Sequence, residues 1–124
     1  MESIKDKVAI VGMGCTHFGE LWDKSVDDLV IEAAYEAFED AGVGPKDIQA
    51  GWVGTVQNVT GTTVAKPLKL DYIPVTRVEN LCGTGTEAVR NATFALIAKA
   101  YDLVLVLGFE KLKDCGYAGL PNEF

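Results

Sequence analysis

"VENLCGTGTEAVRNA", residues 78–92, sets Cys82 between a short β-like run and a helical pattern, with glycines at positions 83 and 85. Downstream, Ala88, Val89, Ala92, Ala95, Leu96 and Ala100 recur at helical spacing. This predicts an Ala-rich helix over 84–100 whose small-residue face suits close packing. Before the cysteine, "VTRVEN" (75–80) reads as a short strand, too polar for a central one. After the helix, "DLVLVLGFE" (102–110) is continuous and apolar, which predicts a strand central in its sheet. Strand, helix, strand in this order is the unit of a parallel sheet.

The rest of the chain extends the same pattern. "KVAIVGMG" (7–14) is a β-branched apolar run ended by glycines, expected to be a strand buried on both faces. A loop, "CTHFGELWDK", follows, and Ser25 with Asp28 then forms an S-x-x-D helix start. Val26, Leu29, Val30, Ala33, Ala34, Ala37, Phe38 and Ala41 keep helical spacing up to Gly42, a stop signal completed by Gly44-Pro45. "PKDI" suggests a turn of helix and "GWVGTVQ" (51–57) a second strand. Residues 58–74 read as a loop, with some helix around "TVAKPLKL", and the tail "KLKDCGYAGLPNEF" as a loop cut off mid-course. The expected class is α/β: one domain, 1–124, with a mostly parallel sheet and covering helices.

Composition narrows the function. Nearly half of the 124 residues are apolar, as in a folded globular domain. Eleven basic against eighteen acidic residues give a net charge of −7, with no Lys/Arg cluster. Nucleic acid and anionic membrane surfaces are therefore excluded as partners. No apolar run approaches the ~20 residues of a membrane helix. The amino terminus carries charges and a strand-like run without a cleavage signal, which points to a cytoplasmic protein. Cys15, Cys82 and Cys115 are odd in number and widely spaced, a pattern of reduced thiols and not of a disulfide framework.

Four chemistries compete for Cys82. The run from Gly83 to Ala88 reads G-x-G-x-x-A, but the strand before it is polar and Asp102 falls before the next strand instead of after it. Gly12 and Gly14 follow a good strand, yet His17 occupies the third glycine position, so neither run makes a dinucleotide site. Cys15, His17, Cys82 and Cys115 are scattered and contain no C-x-x-C, so no metal site is expected. A nucleophile has positive physics behind it. At the mouth of a helix, unpaired N–H groups and the positive end of the macrodipole stabilise a thiolate. The same amides can receive an oxyanion, and Gly83 and Gly85 leave room for a thioester against the backbone. The fourth reading makes Cys82 a small core residue at a strand–helix junction, a common place for free cysteine. Position alone does not separate the last two. His17 is the one histidine, and nothing in the spacing pairs it with Cys82.

The stretch resembles the nucleophile motif of the thiolases, in which an Asn lies two residues before the acylated Cys and a G-[ST]-G run follows. Asn80, Cys82, Gly83, Thr84, Gly85, Ala88 and Ala92 match. "VAIVGMGCTHFGE" is similar to the opening strand and loop of the sterol-carrier-type branch, and "DLVLVLGFEKLKDCG" to its strand and G-x-E-K-[ML] turn. The resemblance implies a thiolase fold, present as its amino-terminal half and truncated before the coenzyme A loop. It implies acyl transfer through a thioester on Cys82, in thiolysis or Claisen condensation. The substrate would be a coenzyme A thioester, with no tightly bound cofactor. It also implies a homodimer or higher oligomer, and in this branch a small OB-fold partner protein. A thiolase-like aldolase or a non-catalytic subunit is the alternative. The family's catalytic histidine and second cysteine come from its carboxy-terminal half; His17 and Cys115 match neither.

Overall fold

The computed structural model describes residues 3–114. Helix α1 spans Val26–Ala41. The Ser25 hydroxyl accepts from the Asp28 amide at 3.1 Å, while the Asp28 carboxylate accepts from the Ser25 amide at 2.8 Å. Two of the orphan donors at the helix start are thereby satisfied. At the other end Gly42 takes φ 70°, a left-handed turn natural to glycine, and its amide returns to the carbonyls of Phe38 and Glu39. The predicted stripe is buried through Val30, Ala34 and Phe38. "PKD" forms a single 3₁₀ turn, Pro45–Asp47.

Three strands follow: β1 (Ala50–Gly54), β2 (Val75–Val78) and β3 (Val104–Gly108). Both pairings are parallel, in the order β2-β1-β3. Helix α2 (Thr62–Leu68) occupies part of the span read as loop, and α3 (Thr84–Ile97) follows the Cys82 turn. Glycine at 61 lets the start of α2 sit on β2, because a Cβ there would lie 1.9 Å from the Val75 carbonyl oxygen. Val53, Leu105 and Leu107 face α1 and α2 and form one core with Val30, Phe38, Val64 and Leu68. Alternation turns Gly54 to the opposite face, against Thr84 of α3, whose Ala88 and Ala92 are also buried.

Two expectations are corrected. Residues 7–14 form no strand among the described residues, and Ile10 and Met13 are 77% and 69% exposed. The run is extended but has no strand beside it. It lies along α1 instead, where the Met13 and Cys15 amides donate to the carboxylates of Asp40 and Glu36 at 2.9 and 2.8 Å. Gly12 and Gly14 permit this approach, since a Cβ on either would enter the α1 backbone. The second correction concerns β3, which is an edge of the described sheet; β1 is central. An apolar run reports burial on both faces, and burial does not say which neighbour lies beside it. β1 also stops at Gly54, short of the expected Gln57, and α3 ends three residues early.

Candidate active site

The carboxyl ends of the three parallel strands come together, which is where open α/β sheets place their ligands. After β1, the Val56 amide donates to Glu110 Oε1 at 2.6 Å, tying that edge to the segment beyond β3. After β2 the chain passes through Asn80 into a 3₁₀ turn, Leu81–Gly83, and then directly into α3. Cys82 lies in this turn and its residue is exposed. Cys82 is not part of the core of the described residues.

The turn is built by short bonds. Leu81 adopts φ +46°, unusual for a residue with a side chain. Its amide donates to Glu79 Oε1 at 2.5 Å, and its carbonyl accepts from the Thr84 hydroxyl at 2.6 Å. The same hydroxyl accepts from the Asn80 amide at 2.8 Å. Gly83 and Gly85 behave differently from Gly54 and Gly61. Gly83 has φ −88°, and a Cβ at either position would meet nothing within 4 Å. Among the described residues, packing does not require glycine there, unlike at Gly54 and Gly61. Gly85, Val89, Val106 and Gly108 line a shallow apolar hollow.

The charges near the turn are already engaged. Arg90 holds Glu87 by a two-pronged contact at 2.6 and 2.9 Å, and Asn91 adds a third donor at 2.8 Å. Arg90 first and Asn91 second hold the Glu87 carboxyl below the ordinary glutamate value, and Glu87 in turn raises Arg90. Glu87 is thus already engaged by Arg90 and Asn91. His17 is placed elsewhere by the pocket it lines. It lines a separate cleft of about 530 Å³ with Cys15, Trp22, Leu29, Phe109 and Lys111, and Cys82 is not among the lining residues. No three potential metal ligands cluster among the described residues. Cys115 lies outside the described residues. Nor is any described helix long and apolar enough to cross a membrane.

Sequence reading missed the contacts of Thr84 in this turn and of Gly54 behind it. Thr84 was legible only as the middle residue of G-T-G, and its partners became identifiable once the turn was closed.

The family described as thiolase, N-terminal domain, matches residues 8–120. An acetyl-CoA acetyltransferase of Methanocaldococcus jannaschii is 41% identical over 114 residues, covering 86% of this chain and 29% of that protein. Sterol carrier protein 2 of Gallus gallus is 34% identical, over 86% of this chain and 20% of its own length. The chain thus spans under a third of the relatives it matches. Among solved structures, 3-oxoacyl-(acyl-carrier-protein) synthase III of Aquifex aeolicus superposes with a TM-score of 0.72 at 17% identity, over 85% of this chain and 45% of that one. An Ltp2-ChsH2(DUF35) aldolase gives 0.75 at 23% identity, over 94% and 30%. At these identities the likeness is one of fold.

Proposed function

The chain belongs to the thiolase family, and from that premise we propose that it carries the nucleophile of a coenzyme A-dependent acyltransferase, with Cys82 as the acylated residue. The observation that supports this most is the exposed residue Cys82 in the turn leading into α3, beside two glycines at which a Cβ would meet nothing within 4 Å. In thiolysis the Cys82 thiolate attacks the 3-keto carbon of a 3-oxoacyl-CoA. The new C–S bond gives a tetrahedral oxyanion at C3; its collapse to the acyl thioester breaks the C2–C3 bond, and the departing acetyl-CoA carbanion takes a proton at C2. Coenzyme A thiol then attacks the acyl thioester, giving its proton up and restoring Cys82. In condensation the steps run backwards, from an acyl-CoA donor. The two amides after Cys82 are already engaged, Gly83 with the Asn80 carbonyl at 2.9 Å and Thr84 with the Leu81 carbonyl, so the oxyanion of each tetrahedral intermediate is stabilised by donors from outside this turn.

The proton-transfer groups and the coenzyme A loop of this family belong to a carboxy-terminal half, and no described residue here substitutes for them. Two such subunits pair through the β2 edge, and a small OB-fold protein is the further partner proposed. The 124-residue chain alone accepts one acyl group slowly and does not turn over.

The test is incubation with acetyl-CoA, acid quench and peptide mapping by mass spectrometry. The acetyl group is expected on Cys82 and absent from Cys82→Ser. Labelling of Cys15 or Cys115 in its place would sink the assignment. Repeated turnover of acetoacetyl-CoA and coenzyme A by the 124-residue chain would overturn the need for a second half and return attention to His17.

A further inference from the structure

We infer that Thr84 is a positioning residue, whose hydroxyl holds Leu81 in the left-handed conformation that presents Cys82 at the surface. This rests on the reading of Cys82 as the nucleophile. A hydroxyl offers one proton and two lone pairs. The Thr84 hydroxyl spends its proton on the Leu81 carbonyl and a lone pair on the Asn80 amide, so it spans the two residues before the cysteine. Thr84 is 7% exposed, and little water competes for either bond. Leu81 needs such support. Its φ of +46° is costly for a residue with a side chain, and at 41% exposed it gains little burial in return.

Thr84 is itself held from behind. A Cβ on Gly54 would lie 2.9 Å from Thr84 Cγ2 and 3.2 Å from its carbonyl oxygen, so Thr84 occupies space that only glycine leaves. Gly54 ends the central strand, in register with Val78 and Gly108. Contact therefore runs from the middle of the sheet through Thr84 to Leu81, the residue before the nucleophile. Valine would preserve the shape of Thr84 and remove the hydroxyl; serine would do the reverse.

The experiment measures iodoacetamide alkylation of Cys82, with Cys15 of the same chain as internal reference and thermal unfolding as the check on folding. Thr84→Val should slow Cys82 severalfold while Cys15 is unchanged, since alkylation from solution follows the accessibility of the thiolate. Thr84→Ser should restore the rate. Leu81→Gly should restore it in the Thr84→Val background, because glycine takes the left-handed conformation unaided. Should Thr84→Val lose the fold, Thr84→Ala removes the same hydroxyl without crowding Gly54. Parental rates in the hydroxyl-free variants, a slow Thr84→Ser, or no rescue by Leu81→Gly would each overturn the inference. A Cys82 that follows the expected pattern but never accepts acetyl from acetyl-CoA would retire the acyltransferase reading and leave this one standing.

Discussion

The side-chain amine of Lys111 donates to the backbone carbonyl of Leu21 across 2.7 Å, joining residues 90 apart in sequence. It also donates to the Lys24 carbonyl at 2.6 Å and pairs with Asp114, with only 8% of its side chain exposed. Lys113 and Glu20 form a second, exposed ion pair between the same two segments. The loop before α1 is thus held against the segment after β3, with Lys111 as the buried member of the clamp.

Replacing Lys111 by methionine keeps the aliphatic stem and leaves two carbonyls without their charged donor. Bonds to charged groups are worth about 2 kcal/mol each where buried, and a loss of that order is expected in denaturant unfolding. Proteolysis should become faster within residues 15–24. Cys82 alkylation should be unchanged, because Lys111 lines the other cleft.

Gly83 and Gly85 offer a separation of stability from function. Alanine at 85 enters open space in the first turn of a helix, so it should stabilise α3 by roughly 0.5–1 kcal/mol. It also fills the space proposed for the thioester. The expected result is a chain that unfolds no earlier than its parent yet is acylated by acetyl-CoA much more slowly. Unchanged acylation in both Gly83→Ala and Gly85→Ala would remove the steric part of the proposal.

The cap of α1 carries a pH signature. Bonds from the Ser25 hydroxyl and then the Ser25 amide hold the Asp28 carboxyl below its ordinary value. A carboxyl depressed in the folded state binds protons more readily when unfolded. Its contribution is therefore complete above the ordinary aspartate value and is lost as pH falls through the folded one. Ser25→Ala should cost about 1 kcal/mol at neutral pH and flatten that acid dependence, which urea titrations across acidic pH would read.

The exposed edge at β2 motivates the proposed dimer. Its outer backbone groups have no partner strand among the described residues, and such edges recruit one. Val78→Asp should weaken self-association in sedimentation and slow Cys82 labelling together. A protein that sediments as a monomer at micromolar concentration, with Cys82 fully reactive, would exclude this edge as the interface.

Local chemistry was legible in the amino-acid sequence wherever a few neighbouring residues decide the outcome. Ser25 with Asp28 starts α1, Gly42 ends it, and Cys82 precedes α3, because caps and turns depend on contacts three or four residues apart. The class of fold was legible too, since β-branched runs alternating with helical stripes leave few arrangements. Tertiary structure alone decided what each segment meets. Residues 7–14 have the composition of a buried strand but lie along α1, because pairing requires a neighbour that no local signal specifies. The left-handed Leu81, the Thr84 hydroxyl beneath it and Gly54 behind that hydroxyl are joined only when β1 packs against α3. Lys111, likewise, becomes a clamp only once the chain brings Leu21 back to it across the fold.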